Sequence, residues 1–389
     1  MKRRALFGGA AAVGAAAVGG AALGAAATGA NADPEPTGTR SVPFHGRHQA
    51  GIEMEPQAHQ SLLALGLRDG VDAAAIRRLL TLLTDDARRL TAGRAPLADL
   101  EPELAAVPAR LTVTFGFGPA LVAAVRGAAR VPAWLGPLPE YRTIDRLEER
   151  WSGGDLLLQV AADDPTTIAH ALRLLVRDAR AFASVRWRQD GFRHAASSHR
   201  PGTAMRNLFG QVDGTANEAP GSAGFDRVVW RDDPEPWLDG GTTLVVRRIA
   251  MNLDTWDEVG REGREFSIGR RLADGAPTTG GRASDDVDLE AVDERGFTVI
   301  GPSAHVRRAR AGNDRQRIFR RGYNYDDASG TGLIFCSFQA DLERQFLPIQ
   351  ARLAEQDALN AWTTPIGSAV FAIPAGVRPD GFVGEALFT

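Results

Sequence analysis

The chain has 389 residues, 44% hydrophobic and 24% charged, with 43 Gly and 22 Pro, a balance suited to one large or two moderate globular domains. Of its 45 Lys and Arg only Lys2 is lysine, which excludes P-loop phosphate binding and pyridoxal or Schiff-base chemistry in the folded part. The single cysteine, Cys336, excludes internal disulfides, CxxC redox pairs and CxxCH haem attachment, and a net charge of −3 argues against nucleic-acid binding.

Lys2, Arg3 and Arg4 precede an uncharged Ala/Gly-rich run from Ala5 to Ala32, less apolar than a membrane span normally is; an uncleaved anchor or a disordered Ala-rich tail is the bland alternative. The paired arginines and the Ala30-Asn31-Ala32 triplet predict a cleavable twin-arginine export signal over residues 1–32, placing the mature protein in the periplasm, at the cell surface or outside the cell. After a Pro/Gly/His-rich arm, residues 61–67 read as a strand and 72–91 as a helix with Ile76, Leu79, Leu80, Leu83 and Leu90 on one face. Residues 111–118 read as a strand and turn, 155–161 as a strand, 166–182 as a helix and 185–188 as a strand. A Gly-rich connection, 201–225, follows. The order then repeats: strand 243–253, helix 256–266, strand 332–339 and amphipathic helix 342–357. This predicts an α+β fold of duplicated ferredoxin-like units, antiparallel sheets with flanking helices, in domains 33–205 and 206–389.

Three local features carry chemistry. In Asn207-Leu208-Phe209-Gly210-Gln211-Val212-Asp213-Gly214-Thr215, glycines flank an acid, so the backbone can approach something flat while Asp213 sits at its rim; an ordinary Asp-Gly turn is the bland alternative. His305 is the one histidine of seven in the C-terminal half, and a neutral imidazole suits haem iron. Arg317 to Tyr325, read as a strand, puts Arg320 and Arg321 on opposite faces, one of them free to enter a pocket. A non-haem metal site at His45 and His48 is a weaker option, since that HxxH lies in the Gly-containing arm.

In this order, GxxDG, then His305, then Arg-Arg-Gly-Tyr-Asn-Tyr, the sequence resembles the dye-decolorizing peroxidase family of haem enzymes. The likeness extends to Phe44–Ile52, Leu111–Gly118, Gly153–Gln159, Val245–Arg248, Ser267–Arg270 and Phe338–Asp341, covering residues 42–375. The resemblance implies a dimeric α+β barrel-like arrangement and one non-covalent haem b with His305 as axial ligand. It implies a histidine acceptor, assigned to Asp341, and a distal pair, Asp213 and Arg320, acting on hydrogen peroxide. Gly210, Gln211, Val212, Gly214 and Thr215 would lie against the cofactor. Arg321, or Arg308, would serve a haem propionate, and Arg321 stays open as the distal arginine in place of Arg320. A bulky phenolic or dye-like reductant is implied, with Tyr141, Tyr323, Tyr325 and the seven Trp as relay candidates and a homo-oligomer as an option. A carboxylate base further implies an acidic optimum. The alternative function is a deferrochelatase-like haem-handling protein in iron acquisition.

Overall fold

The structure, a computed structural model, describes residues 37–389 apart from Pro201 and Ala311, so the predicted export signal lies outside the described residues. β1 (His59–Leu67) leads into α1 (Ala73–Thr91), whose start is fixed by the Asp72 carboxylate accepting the Ala75 N–H at 2.8 Å. The predicted face of α1 is the buried one. β2 (Thr112–Phe117), α2 (Pro119–Arg126), β3 (Leu156–Ala162), α3 (Pro165–Ala179, capped by Asp164) and β4 (Ala183–Phe192) complete the first unit. A connection carries the hairpin β5 (Met205–Arg206) and β6 (Val212–Asp213), then α4 (Ala223–Val229).

The second unit begins with β7 (Thr242–Met251) and a long crossover holding α5 (Leu253–Asp257), α6 (Arg261–Ile268) and α7 (His305–Ala309). β8 (Phe319–Arg320), β9 (Tyr323–Asp327) and β10 (Gly330–Gln339) follow, then a π-helical turn (Leu342–Phe346), α8 (Leu347–Gln356) and β11 (Thr363–Ile373). Strand order is β4-β1-β3-β2 in the first unit and β11-β7-β10-β9 in the second, the same antiparallel ferredoxin-like order twice. The units join edge to edge, β2 to β11 at Phe117 and Ala372 and β4 to β9 at Phe192 and Asn324, and the sheet closes as a barrel. Each join is one residue pair. A buried ion pair between Arg247 of β7 and Asp145, both 1% exposed, ties the units a second time.

Alternation along each strand sorts the core. Leu62, Ala64, Leu157, Val246, Ile334, Cys336 and Phe371 fill the barrel interior, whereas Leu63, Leu65, Leu158 and Val160 face outward under α1 and α3. Several expectations change. The single helix 256–266 is two short ones broken at Gly260, a residue that starts α6 rather than continuing α5. Helix 342–357 opens with a π turn ahead of Pro348, which has no N–H to give. The strand expected across 317–325 is divided between β8 and β9 at Arg321-Gly322, and β11 has no counterpart among the expected elements.

Between α1 and α3, Asp86 is 4% exposed and faces Asp178. Burial, then the hydrogen bond with the Asp178 carboxyl, pushes Asp86 up to about 7 from 3.8. The folded state therefore binds this proton more tightly than the unfolded chain. Its stabilisation is complete below about pH 4 and is lost as pH rises through about 7. Denaturant unfolding from pH 5 to pH 8 is expected to show stability falling, and Asp86→Asn to flatten that slope; an unchanged slope would remove Asp86 as its source.

Candidate active site

The β5–β6 hairpin is organised by Asn207. Its Oδ1 accepts the N–H groups of Phe209 and Gln211, both at 3.1 Å, and its Nδ2 donates to Gln211 Oε1 at 3.0 Å. Gly210 closes the turn at φ +78°, a left-handed conformation that costs a residue with a Cβ, and no protein atom lies within 4 Å of where that Cβ would be. The hairpin pairs Met205 with Asp213, so the carboxylate is delivered by a strand rather than a free loop. Val212 packs under Gly275, Gln211 is buried with its Nε2 lacking a partner, and Gly214 and Thr215 lead into a turn closed by the Asn217 N–H on the Gly214 carbonyl at 3.2 Å.

Asp213 Oδ1 lies 3.1 Å from Arg320 Nη1, with side-chain exposures of 18% and 28%. Register explains which arginine arrives. Arg320 stands opposite Ser337, on the outward face shared with Phe335 and Leu333, whereas Arg321 donates its backbone N–H to the Cys336 carbonyl and turns inward. The Arg321 guanidinium is 1% exposed and donates to the carbonyls of Ile52 (3.2 Å) and Met54 and to Gln57 Oε1 (2.9 Å). Arg321 is therefore neither the distal arginine nor a cofactor contact, because strand alternation sends it into the barrel. Arg308 is likewise occupied, by the Pro302 carbonyl and the side chains of Glu355 and Gln356.

His305 begins α7. The preceding chain is held close to α6 because Gly269 ends that helix at φ +85°, where a Cβ would lie 2.5 Å from Val306 Cγ2. His305 Nδ1 lies 2.6 Å from Asp357 Oδ2, and the Ala358 N–H bonds the Ser303 carbonyl at 2.8 Å, so α7 is fastened to the end of α8. This corrects the expected acceptor. Asp341 sits before the opposite end of the segment that runs through the π turn and α8, and caps the π turn, accepting the Arg344 N–H at 3.0 Å. Burial works to lower the His305 pKa, but the charge and hydrogen bond of Asp357 outweigh it and hold the imidazole above its usual value. Asp213 and Arg320 are both near enough to act electrostatically on the same ring, Arg320 lowering and Asp213 raising its proton affinity. His48, by contrast, stacks on Trp230 at 3.8 Å and bonds the Gly240 carbonyl, so the HxxH serves packing.

The His305 side chain is half-buried, with 27% of its surface open, and its Nε2 has no hydrogen-bond partner among the described residues. An imidazole whose Nδ1–H is donated to a carboxylate presents an electron-rich Nε2 lone pair, the donor that haem iron takes. The open space at Gly210 and the ionic pair Asp213–Arg320 complete a setting that fits a flat, non-covalent haem. Sequence reasoning misses Asp357, which carries no local signal 52 residues from its partner, and Asn217, whose only signal is its place four residues after Asp213.

Known proteins resemble this chain over most of its length. Residues 49–193 match the sequence model of the Dyp-type peroxidase N-terminal domain and residues 204–378 that of the C-terminal domain. The chain is 44% identical over 294 residues to the dye-decolorizing peroxidase of Thermobifida fusca, covering 72% of this chain and 68% of that one. It is 34% identical over 372 residues to the deferrochelatase of Escherichia coli, covering 89% and 86%. The DyP-type peroxidase from Cellulomonas bogoriensis superposes with a TM-score of 0.87 at 51% identity, covering 90% of this chain and 99% of that structure. Ferric DtpA from Streptomyces lividans gives 0.85 at 40% identity, covering 90% and 98%. Fold and relatives thus define a haem-dependent peroxidase. More narrowly, the chain belongs to the Dyp-type peroxidase family, and its cofactor is haem b.

If Nε2 of His305 is the axial donor, His305→Ala is expected to abolish stable haem retention, read as the ratio of Soret to protein absorbance after purification. Asp357→Ala, which leaves the ligand but frees its ring, is expected to weaken haem affinity about 10–100-fold. A His305→Ala protein with an unaltered Soret band would remove this residue as the ligand.

Proposed function

We propose that the protein is an exported peroxidase that uses hydrogen peroxide to oxidise bulky phenolic or dye-like donors, in which His305 would hold the haem iron and Asp213 and Arg320 would handle the peroxide's protons and charge. The observation that carries the reading is the 3.1 Å Asp213–Arg320 pair, within electrostatic reach of a His305 ring whose Nδ1 is held by Asp357. The 44% identical relative named for dye decolorization supports the class of donor.

Haem, when bound, supplies the electrons that cleave the O–O bond. The protein's residues manage the protons and charge. Asp213 takes the proton from one peroxide oxygen and returns it to the other, so that water departs; a positioned general base of this kind contributes about 10²–10⁴ in rate. Arg320, always protonated, stabilises negative charge as it builds on the departing oxygen and cannot compete for the proton. Asp357 holds the His305 ring in one orientation and one tautomer. Each peroxide reduced to two waters withdraws two electrons and two protons from donor molecules.

A haem-handling role like that named for the 34% identical deferrochelatase needs the ligand but not the distal pair. Stopped-flow mixing of ferric protein with peroxide separates the two readings. Asp213→Asn and Arg320→Leu are each expected to slow the peroxide reaction about 100-fold or more with haem content intact, while Arg321→Leu changes stability instead. Normal peroxide rates in both distal variants would favour the haem-handling role.

Export is supported by Arg3-Arg4, the uncharged run that follows and the Ala30-Asn31-Ala32 triplet. The exported protein is expected to begin at Asp33 by mass analysis. Changing Arg3 and Arg4 together to Lys should retain the protein, signal attached, in the cytoplasm; undiminished export would point to another route.

A further inference from the structure

β8 is two residues long and meets β10 only at Phe319–Phe338 and Arg320–Ser337. It is the Arg321 N–H, one residue on, that bonds β10, at the Cys336 carbonyl (2.9 Å). The backbone of Arg320 faces the other way, toward an edge with no further strand. There the Asn217 side chain takes a strand's place: its Oδ1 accepts the Arg320 N–H at 3.0 Å and its Nδ2 donates to the Arg320 carbonyl at 2.7 Å. The same short segment holds Asp213 at its start, is closed on Gly214 by the Asn217 N–H, and ends at Glu218, which pairs with Arg317 at 2.7 Å. One loop thus grips Arg320 twice, by the guanidinium through Asp213 and by the backbone through Asn217.

We infer that Asn217 is a positioning residue: its two-point clamp on the Arg320 backbone sets the geometry of the Asp213–Arg320 pair. The inference rests on the reading that this pair faces bound peroxide. Arginine reaches its target through a long flexible stem, so the strand from which it springs has to be fixed for the head group to be. A displacement of about 1 Å in such a group costs on the order of 100-fold in rate.

The test is a double-mutant cycle read at equilibrium. Fluoride is titrated into the ferric holoprotein at one pH, with parent, Asn217→Ala, Arg320→Leu and the double variant compared, and the peroxide rate measured alongside. Asn217→Ala is expected to weaken fluoride binding and slow peroxide about tenfold with an unchanged Soret-to-protein ratio. In the Arg320→Leu background the same change is expected to alter either by less than about twofold, because Asn217 acts through Arg320. Full additivity of the two losses would overturn the inference, as would normal fluoride binding and peroxide rate in Asn217→Ala while Arg320→Leu is impaired. If Arg320→Leu itself is normal in both measurements, the distal reading falls and this inference with it. Should Asn217→Ala lose haem, Asn217→Ser, whose hydroxyl is too short to bridge both backbone groups, is judged by the same criteria.

Discussion

The pairing of β8 with β10 assigns one arginine to each face of the sheet, and much of the molecule follows from that register. Outward, Arg320 meets Asp213. Inward, Arg321 holds the arm that precedes β1 through the carbonyls of Ile52 and Met54 and the side chain of Gln57. No carboxylate accompanies the buried Arg321 guanidinium among these partners, and burial pulls its pKa down to about 10. The cation is held by oriented carbonyls rather than by a counter-charge. A slip of one residue would exchange the two faces, stranding one charge in the apolar interior and removing the partner of Asp213. The register is defended by both contacts at once.

Duplication explains why the site lies where it does. The two units share one strand order, but their crossovers differ. In the first unit, α1 and α3, with 19 and 15 residues, lay continuous apolar faces on the sheet and fill the space outside it. In the second, the connection after β7 offers helices of five, eight and five residues separated by loops. Short helices bury less of the sheet and can be held apart from it by their own contacts, such as those of His305 with Asp357 and Gly269 with Val306. The same architecture carries two long helices in one half and three short, loop-linked ones in the other.

What is legible in the sequence follows the range of the interactions concerned. Elements with strong periodicity, α1 above all, can be read to within a residue or two, and strand alternation by itself separates Arg320 from Arg321. The choice between them is not legible, because it depends on which face of β10 is outside. β11 is hidden in a segment with Pro365 and Gly367 near its start, where the pairing with β7 shifts register. Asp341 is a reasonable acceptor for His305 from its place at a strand end. Asp357 takes that position because α8 folds back and brings its far end, not its near end, to α7. Contacts of this kind arise from tertiary packing and leave no mark in local spacing.

Cys336 lies on the interior face of β10, on the far side of the sheet from Arg320, and is fully buried. Burial pushes its thiol up to about 12, so at neutral or acidic pH the sulfur keeps its proton. Peroxide oxidises thiols through the thiolate, the first rung of a ladder that ends in irreversible sulfonic acid. A peroxidase whose single thiol is kept protonated and walled inside the barrel thus denies its oxidant the thiolate on which that ladder begins.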